Sequence, residues 1–113
     1  MNTAIRDHNG TTIVDVMGNI DLASSPALRK TLLESLSNTN RLALNLGGAQ
    51  YIDSSGIASL LEVLKAARSE KKAFVLFGLT TAVREVLQLT RLTAVFEIHQ
   101  TEFEALQPLG GLS

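Results

Sequence analysis

Short runs of strand-forming residues alternate with segments of helical periodicity along this chain, and that alternation limits its fold more than any other feature. Apolar residues spaced three and four positions apart predict amphipathic helices, whereas short β-branched or apolar runs predict strands. Strands that alternate with helices form a sheet with crossover helices, and right-handed crossovers place those helices mainly on one side of a small sheet. We therefore predict an α/β fold with a small mixed β-sheet.

The first elements are predicted from two β-rich runs and a proline-marked helix start. Residues 3–6 and 12–17 flank His8-Asn9-Gly10, whose composition is typical of a tight turn, so they predict an N-terminal β-hairpin. Ser24-Ser25-Pro26 then supplies hydroxyl N-cap candidates and a proline for the first helical position. Leucines at helical spacing follow, and the helix is expected to end near Asn38.

The second half of the chain continues the same alternation. In chain order we predict a strand at 41–46 with an exit loop at 47–52, then a helix that runs to about Lys71, a strand at 73–77, a helix capped by Thr80-Thr81, a strand at 95–98 and a helix at 102–106. Met17, Phe74, Phe77 and Phe96 are predicted to lie in the core, because buried strand positions favour such side chains. The tail, residues 108–113, is expected to fray.

Composition limits the classes of function that are open to the chain. A length of 113 residues fits one domain, 1–113, and the absence of cysteine excludes disulfides and thiolate metal sites, as is common in cytoplasmic proteins. A net charge of −1 with interspersed signs gives no electrostatic reason to expect nucleic acid as a partner. The N-terminus lacks signal-peptide features and no apolar run approaches about 20 residues, so we expect no membrane insertion.

Catalysis is not predicted, because the chain offers no nucleophile, base and oxyanion site in a recognisable pattern. The only histidines are His8, in a predicted turn, and His99, after the last predicted strand. They lack the clustering of a metal site, and no glycine-rich loop for a phosphate-bearing cofactor is present. We therefore assign no catalytic residue, no metal ligand and no cofactor.

The segment Asp53-Ser54-Ser55-Gly56-Ile57 combines a carboxylate, two hydroxyls and a glycine where a strand leads into a strongly patterned helix. Free backbone N–H groups and the helix dipole favour anions there, so a phosphoserine would be tolerated. Alternatively, Asp53 or Ser54 only caps the helix and Gly56 only allows close packing. Asp21 has two readings as well, because it either stabilises a turn or lies in an interface. The motifs alone leave these alternatives open.

Three segments together resemble one family over nearly the whole chain. Gly18-Asn19-Ile20-Asp21, the segment around Ser55, and Phe96-Glu97-Ile98 before an acidic helix are similar to the STAS domain of bacterial anti-sigma-factor antagonists. The resemblance implies a mixed sheet flanked by helices. It also implies that Ser55 is phosphorylated by an anti-sigma factor that is itself a serine kinase. One departure is Ala58, where the family often carries a further glycine.

The resemblance further implies a partner-binding surface and a switch. The surface is expected to comprise Asp21, Ser24, Asp53, Ser54, Gly56 and Ile57, arranged around Ser55. Unphosphorylated protein would bind the anti-sigma factor, phosphorylation would break the complex, and a serine phosphatase would restore it. The alternative is a STAS subunit that docks on a lipid or anion transporter, or on a signalling scaffold, and whose Ser55 is never phosphorylated.

Overall fold

The computed structural model describes residues 1–107, so the predicted tail at 108–113 lies outside the described residues. In chain order the elements are β1 Asn2–His8, β2 Thr11–Ile20, α1 Ser25–Ser37, β3 Arg41–Ile52, α2 Ser54–Ser69, β4 Ala73–Phe77, α3 Thr81–Leu89, β5 Glu97–His99 and α4 Glu102–Ala105. No helix within 1–107 is both long enough and apolar enough to cross a membrane.

The strands form one five-stranded sheet in the order β1-β2-β3-β4-β5. β1 pairs antiparallel with β2, and the remaining neighbours pair parallel, so the sheet is mixed as predicted. Asn9 (φ 50°) and Gly10 (φ 87°) form the turn between β1 and β2, and two consecutive positive φ angles are what a two-residue hairpin turn of type I′ requires. The predicted N-terminal β-hairpin is confirmed.

The two faces of the sheet are covered unequally. Alternate residues of the central strands point to opposite faces, so Val14 and Leu44 bury one face while Ile13 and Ala43 bury the other. The larger core takes leucines from α1, α2 and α3, and the smaller core takes Ala105 from α4. Three of the four described helices thus pack on one side, which confirms the predicted arrangement.

The predicted exit loop at 47–52 is wrong, because β3 continues to Ile52. A methyl group on Gly48 would lie 2.7 Å from Met17 Cγ and 2.9 Å from the Val16 carbonyl oxygen, so the glycine lets β2 and β3 approach. Two register shifts in the pairing of β2 with β3, each with one extra residue in β3, accommodate the greater length of β3. β4 pairs only with Arg41 to Asn45, so the second half of β3 pairs with β2 alone.

Three smaller predictions also need correction. Met17 is not in the core but 51% exposed, because it points to the sheet face that carries α4, and α4 covers only the opposite end of that face. Phe74, Phe77 and Phe96 are buried as predicted. α2 ends at Ser69, since Lys71 adopts a left-handed conformation (φ 59°). The last strand starts two residues later than predicted and spans Glu97–His99.

Candidate functional site

The candidate site lies where β2 and β3 end side by side. Ile20 is paired with Ile52, and the backbone N–H of Asp53 donates to the Ile20 carbonyl oxygen at 3.1 Å. The loop after β2 and the start of α2 are therefore neighbours, although about thirty residues separate them in the sequence. The structure thus brings the two predicted segments, Asp21 to Ser24 and Asp53 to Ile57, to the same end of the sheet.

Asp53 is the N-cap residue of α2. Its Oδ1 accepts hydrogen bonds from the backbone N–H groups of Ser55 (2.9 Å) and Gly56 (3.1 Å). Of the two capping candidates, the structure therefore selects Asp53 over Ser54. The sequence-based expectation that free N–H groups await an anion here is wrong for these two groups, because a carboxylate of the chain already occupies them.

Gly56 lets the first turn of α2 press against the strand ends. An added methyl group would lie 2.7 Å from Ile20 Cγ2, 2.7 Å from Ile52 Cγ1 and 2.9 Å from the Ile20 carbonyl oxygen, closer than side-chain carbons approach. Ile57, the next residue, is 7% exposed and belongs to the larger core. Gly56 and Ile57 thus act on the surface by fixing where Ser54 and Ser55 stand.

The hydroxyls of Ser54 and Ser55, in the first turn of α2, are the groups of this site that remain available for chemistry. Ser54 is exposed and Ser55 is half-buried. Within residues 1–107, the hydrogen bonds at this helix start involve the backbone N–H of Ser55 and not the hydroxyl of either serine. Both hydroxyls are therefore without a hydrogen-bond partner in this part of the chain, and Ser55 is the less exposed of the two.

Asp21 organises the turn that leads from β2 into α1. Its Oδ1 accepts hydrogen bonds from the backbone N–H groups of Ala23 (3.1 Å) and Ser24 (3.0 Å) and from the Ser24 hydroxyl (3.0 Å). The hydrogen bonds from Ser24 lower the pKa of the Asp21 carboxyl. The turn-stabilising role of Asp21 is thereby established, and its position beside α2 leaves the interfacial role as a proposal.

Two exposed apolar side chains flank this end of the sheet and were not predicted from the sequence. Leu22 is 74% exposed in the turn after β2, and Tyr51, paired with Asn19, is 49% exposed near the end of β3. Each lies in a stretch dominated by turn or strand signals, so no sequence pattern distinguished it from a core residue. Exposed apolar groups beside polar ones are typical of binding surfaces.

Metal and acid–base chemistry find no support among residues 1–107. No group of three or more His, Asp or Glu side chains is placed to hold a metal ion there. His99 Nε2 contacts Glu97 Oε2 at 2.7 Å, and the His8 ring, next to the hairpin turn, contacts the Asn9 side-chain amide at 3.4 Å. Neither histidine is hydrogen-bonded to a serine hydroxyl in the described part of the chain.

Fold and site together define a small mixed α/β domain that presents a serine-bearing helix start at the ends of its central strands. The STAS domain family model matches residues 2–105, and the chain belongs to that family.

Known relatives agree with this assignment. The chain is 27% identical over 111 residues to the anti-sigma-F factor antagonist RsfB of Mycobacterium tuberculosis, covering 95% of this chain and 88% of that protein. It is 28% identical over 90 residues to the anti-sigma-B factor antagonist of Listeria monocytogenes, covering 79% of each. The crystal structure of an anti-sigma factor antagonist from Mycobacterium paratuberculosis is 27% identical and matches with a TM-score of 0.79, covering 93% of this chain and 90% of that one.

Proposed function

We propose that this protein is an anti-sigma-factor antagonist, a binding protein without catalysis of its own that acts in the cytoplasm. Unphosphorylated, it binds an anti-sigma factor and so releases the sigma factor held by that partner. The observation that carries the proposal is the hydroxyl of Ser55 at the junction of β2, β3 and α2, which has no hydrogen-bond partner among residues 1–107. Relatives that cover most of the chain and are named anti-sigma factor antagonists support it.

The proposed partner surface centres on Ser55. Its polar part comprises Asp21, Ser24, Asp53 and Ser54, while the exposed side chains of Leu22 and Tyr51 supply apolar area beside it. Gly56 and Ile57 are buried beneath this surface, and they contribute to it by fixing the position of the residues above them. An apolar patch with a polar rim is the usual composition of a protein–protein interface.

Phosphorylation of Ser55 would act on this surface and leave the fold intact. A phosphate adds roughly −1.5 to −2 charges at pH 7. Asp53 already accepts hydrogen bonds from the backbone N–H groups of Ser55 and Gly56, so these donors are not free to bind the phosphate. The phosphate therefore has to remain at the surface beside the Asp53 carboxylate. Two anionic groups at the centre of an interface weaken binding through repulsion and desolvation, and a loss of on the order of 100-fold corresponds to about 2.7 kcal/mol.

The proposed cycle needs two further proteins. The anti-sigma factor is proposed to be a serine kinase that supplies ATP and phosphorylates Ser55, and a serine phosphatase restores the binding form. An antagonist that is inactivated by its own partner couples sigma-factor release to the balance of these two activities.

The test combines phosphate mapping with binding. Each serine-kinase anti-sigma factor of the source organism is purified and incubated with this protein and ATP, and peptide mass spectrometry locates any gain of about 80 Da, the mass of a phosphoryl group. We expect the phosphate on Ser55, none in S55A, and normal phosphorylation in the matched control S54A. In a binding titration S55A should bind like the wild type, and S55E should bind about 100-fold more weakly.

Two results would contradict the proposal. One is a phosphate that maps to Ser54 alone or to neither serine with every kinase. The other is unchanged binding of the phosphorylated protein. If, in addition, transporter subunits co-purify with the protein from its own cells, the docking-subunit function takes the place of the antagonist.

A further inference from the structure

β1 leaves one side of its backbone without a partner among residues 1–107. It forms the edge of the sheet and all seven of its residues are exposed. In an antiparallel pair every second residue directs its N–H and C=O groups away from the neighbouring strand. The pairing with β2 is unbroken from Asn2 to His8, and the strand contains no proline, so two common means of protecting an edge are missing.

A groove runs between this edge and α1. Its volume is about 390 Å³, and its walls include Ile5, Asp7 and Thr12 from the hairpin and Thr31, Glu34 and Asn38 from α1. Ile5 is paired with Val14, whose side chain belongs to the larger core, so the Ile5 side chain points to the helix-bearing face. There it is 60% exposed and forms an apolar wall of the groove.

The groove is negatively charged. Arg6 also borders it, but the Arg6 guanidinium binds Asp15 at 2.7 Å and Glu102 at 2.8 Å, so two carboxylates offset its charge. Among the ion pairs of residues 1–107, none involves Asp7 or Glu34, which stand on opposite walls. An occupant that carries a basic side chain would therefore complement the groove.

We propose that this groove binds an extended segment of a partner protein, which adds to the sheet as a sixth strand beside β1. Backbone hydrogen bonds to the free edge hold the segment, an apolar side chain packs on Ile5, and a basic side chain lies between Asp7 and Glu34. A second copy of β1 fits less well, because an added strand of that sequence brings its own Asp7 carboxylate to a groove that is already negative.

The proposed segment-binding groove goes beyond the proposed antagonist function and is remote from Ser55. Thr12 in the groove lies near the start of β2, and Ile20 beside Ser55 lies eight residues further along the same strand. At about 3.3 Å per residue, roughly 26 Å separates the two surfaces. One molecule therefore has room for a segment in the groove and a partner at Ser55 at the same time.

The test uses a defined peptide and the whole protein. A blocked seven-residue peptide, Thr-Thr-Val-Thr-Lys-Thr-Thr, is matched in length to β1 and carries Val and Lys two positions apart, so that both side chains point to the same face of an added strand. It is titrated into ¹⁵N-labelled protein. We expect shifts in the amide signals of β1 and α1 and slower hydrogen exchange of the outward-facing amides of β1. Two matched peptides should bind at least tenfold more weakly, one with Glu in place of Lys and one with the same composition but with Val and Lys at adjacent positions, so that their side chains point to opposite faces.

Variants locate the binding on the protein. I5K and E34K should each weaken binding of the Val-Lys peptide at least tenfold, whereas L89K, a change at an 84% exposed leucine of α3, should leave it unchanged. Equal binding of the Glu peptide, shifts outside β1 and α1, or no shifts at all would overturn the proposal. So would a concentration-dependent dimer that I5K dissociates, because the occupant would then be a second copy. None of these results bears on Ser55.

Discussion

The backbone N–H of Ser55 donates to Oδ1 of Asp53 at 2.9 Å, so the residue proposed to carry the phosphate is held by the residue that caps its helix. The cap fixes the first turn of α2 before any partner arrives, because Gly56 is bound by the same oxygen. Stability of the helix start and presentation of the serine therefore depend on one carboxylate.

Removal of this cap should cost stability. In D53A the N–H groups of Ser55 and Gly56 lose their acceptor, and we expect the free energy of unfolding to fall by about 1 kcal/mol, within the range for N-cap removal. D53N keeps a capping oxygen and should lose much less. Urea denaturation monitored by circular dichroism measures both, with S54A as the control at the adjacent exposed position. Equal losses in D53A and D53N would show that charge, not capping, is what Asp53 supplies.

Gly56 should tolerate no side chain. In G56A the added methyl group meets Ile20 and Ile52 side-chain carbons at 2.7 Å, so α2 has to shift away from the strand ends. We expect a loss of about 1–3 kcal/mol, typical of overpacking. The matched control is A58S, which adds one heavy atom at an exposed position of the same helix. A G56A protein as stable as A58S in urea would mean that the close packing at this junction is readily relieved.

The exposed position of Met17 distinguishes the two faces of the sheet. M17S should change the free energy of unfolding by less than about 0.5 kcal/mol, because the side chain is half in solvent. L44A, at a fully buried position of β3, should cost about 2–5 kcal/mol. Thermal and urea denaturation of the two variants provide the comparison. Similar losses of unfolding free energy in M17S and L44A would mean that the Met17 side chain is buried in solution.

Acid should weaken the connection between β1 and α4. Hydrogen bonds from Arg6 lower the pKa of both Asp15 and Glu102. A carboxyl whose folded pKa lies below its unfolded value, about 3.9 for Asp and 4.3 for Glu, contributes stability that is present above that unfolded value and is lost as the pH falls through the folded one. Stability should therefore decline below about pH 4, by only about 0.2–1 kcal/mol per pair, because these side chains are partly exposed.

The variant R6Q isolates this effect. It should be slightly less stable than the wild type at pH 7, and its urea midpoint should fall less steeply between about pH 5 and pH 3. K65Q, which removes an exposed lysine of α2, should keep the wild-type pH dependence. If R6Q and the wild type lose stability in parallel, other carboxylates govern the acid transition.

Periodicity predicted most of the fold from the sequence. The leucine spacing of α1 and α2 and the turn at Asn9 and Gly10 are local signals, and local signals survive in the structure. Residues 47–52 are predicted as a loop because two glycines usually end a strand, whereas here Gly48 permits close contact with β2. That contact depends on a neighbour thirty residues away, which no local pattern contains.

The candidate site shows the same limit. The sequence indicated a polar helix start at Asp53 and Ser55 and a turn at Asp21, and the structure adds that they adjoin. The capping of Ser55 and Gly56 by Asp53, and the exposure of Leu22 and Tyr51, depend on which atoms face each other at the strand ends. Spacing along the chain does not encode those contacts.

The order of the strands in the sheet follows their order in the chain, and this has a consequence for how the protein assembles as it is synthesised. Each strand finds its neighbour already made, so contacts can form in sequence from the N-terminus, and such a topology keeps the search for partners short. The contacts of α4 with the start of the chain depart from this order, and the ion pair between Arg6 and Glu102 joins residues 96 positions apart. That contact closes only when the last helix has emerged, and it ties the end of the described chain back to its beginning.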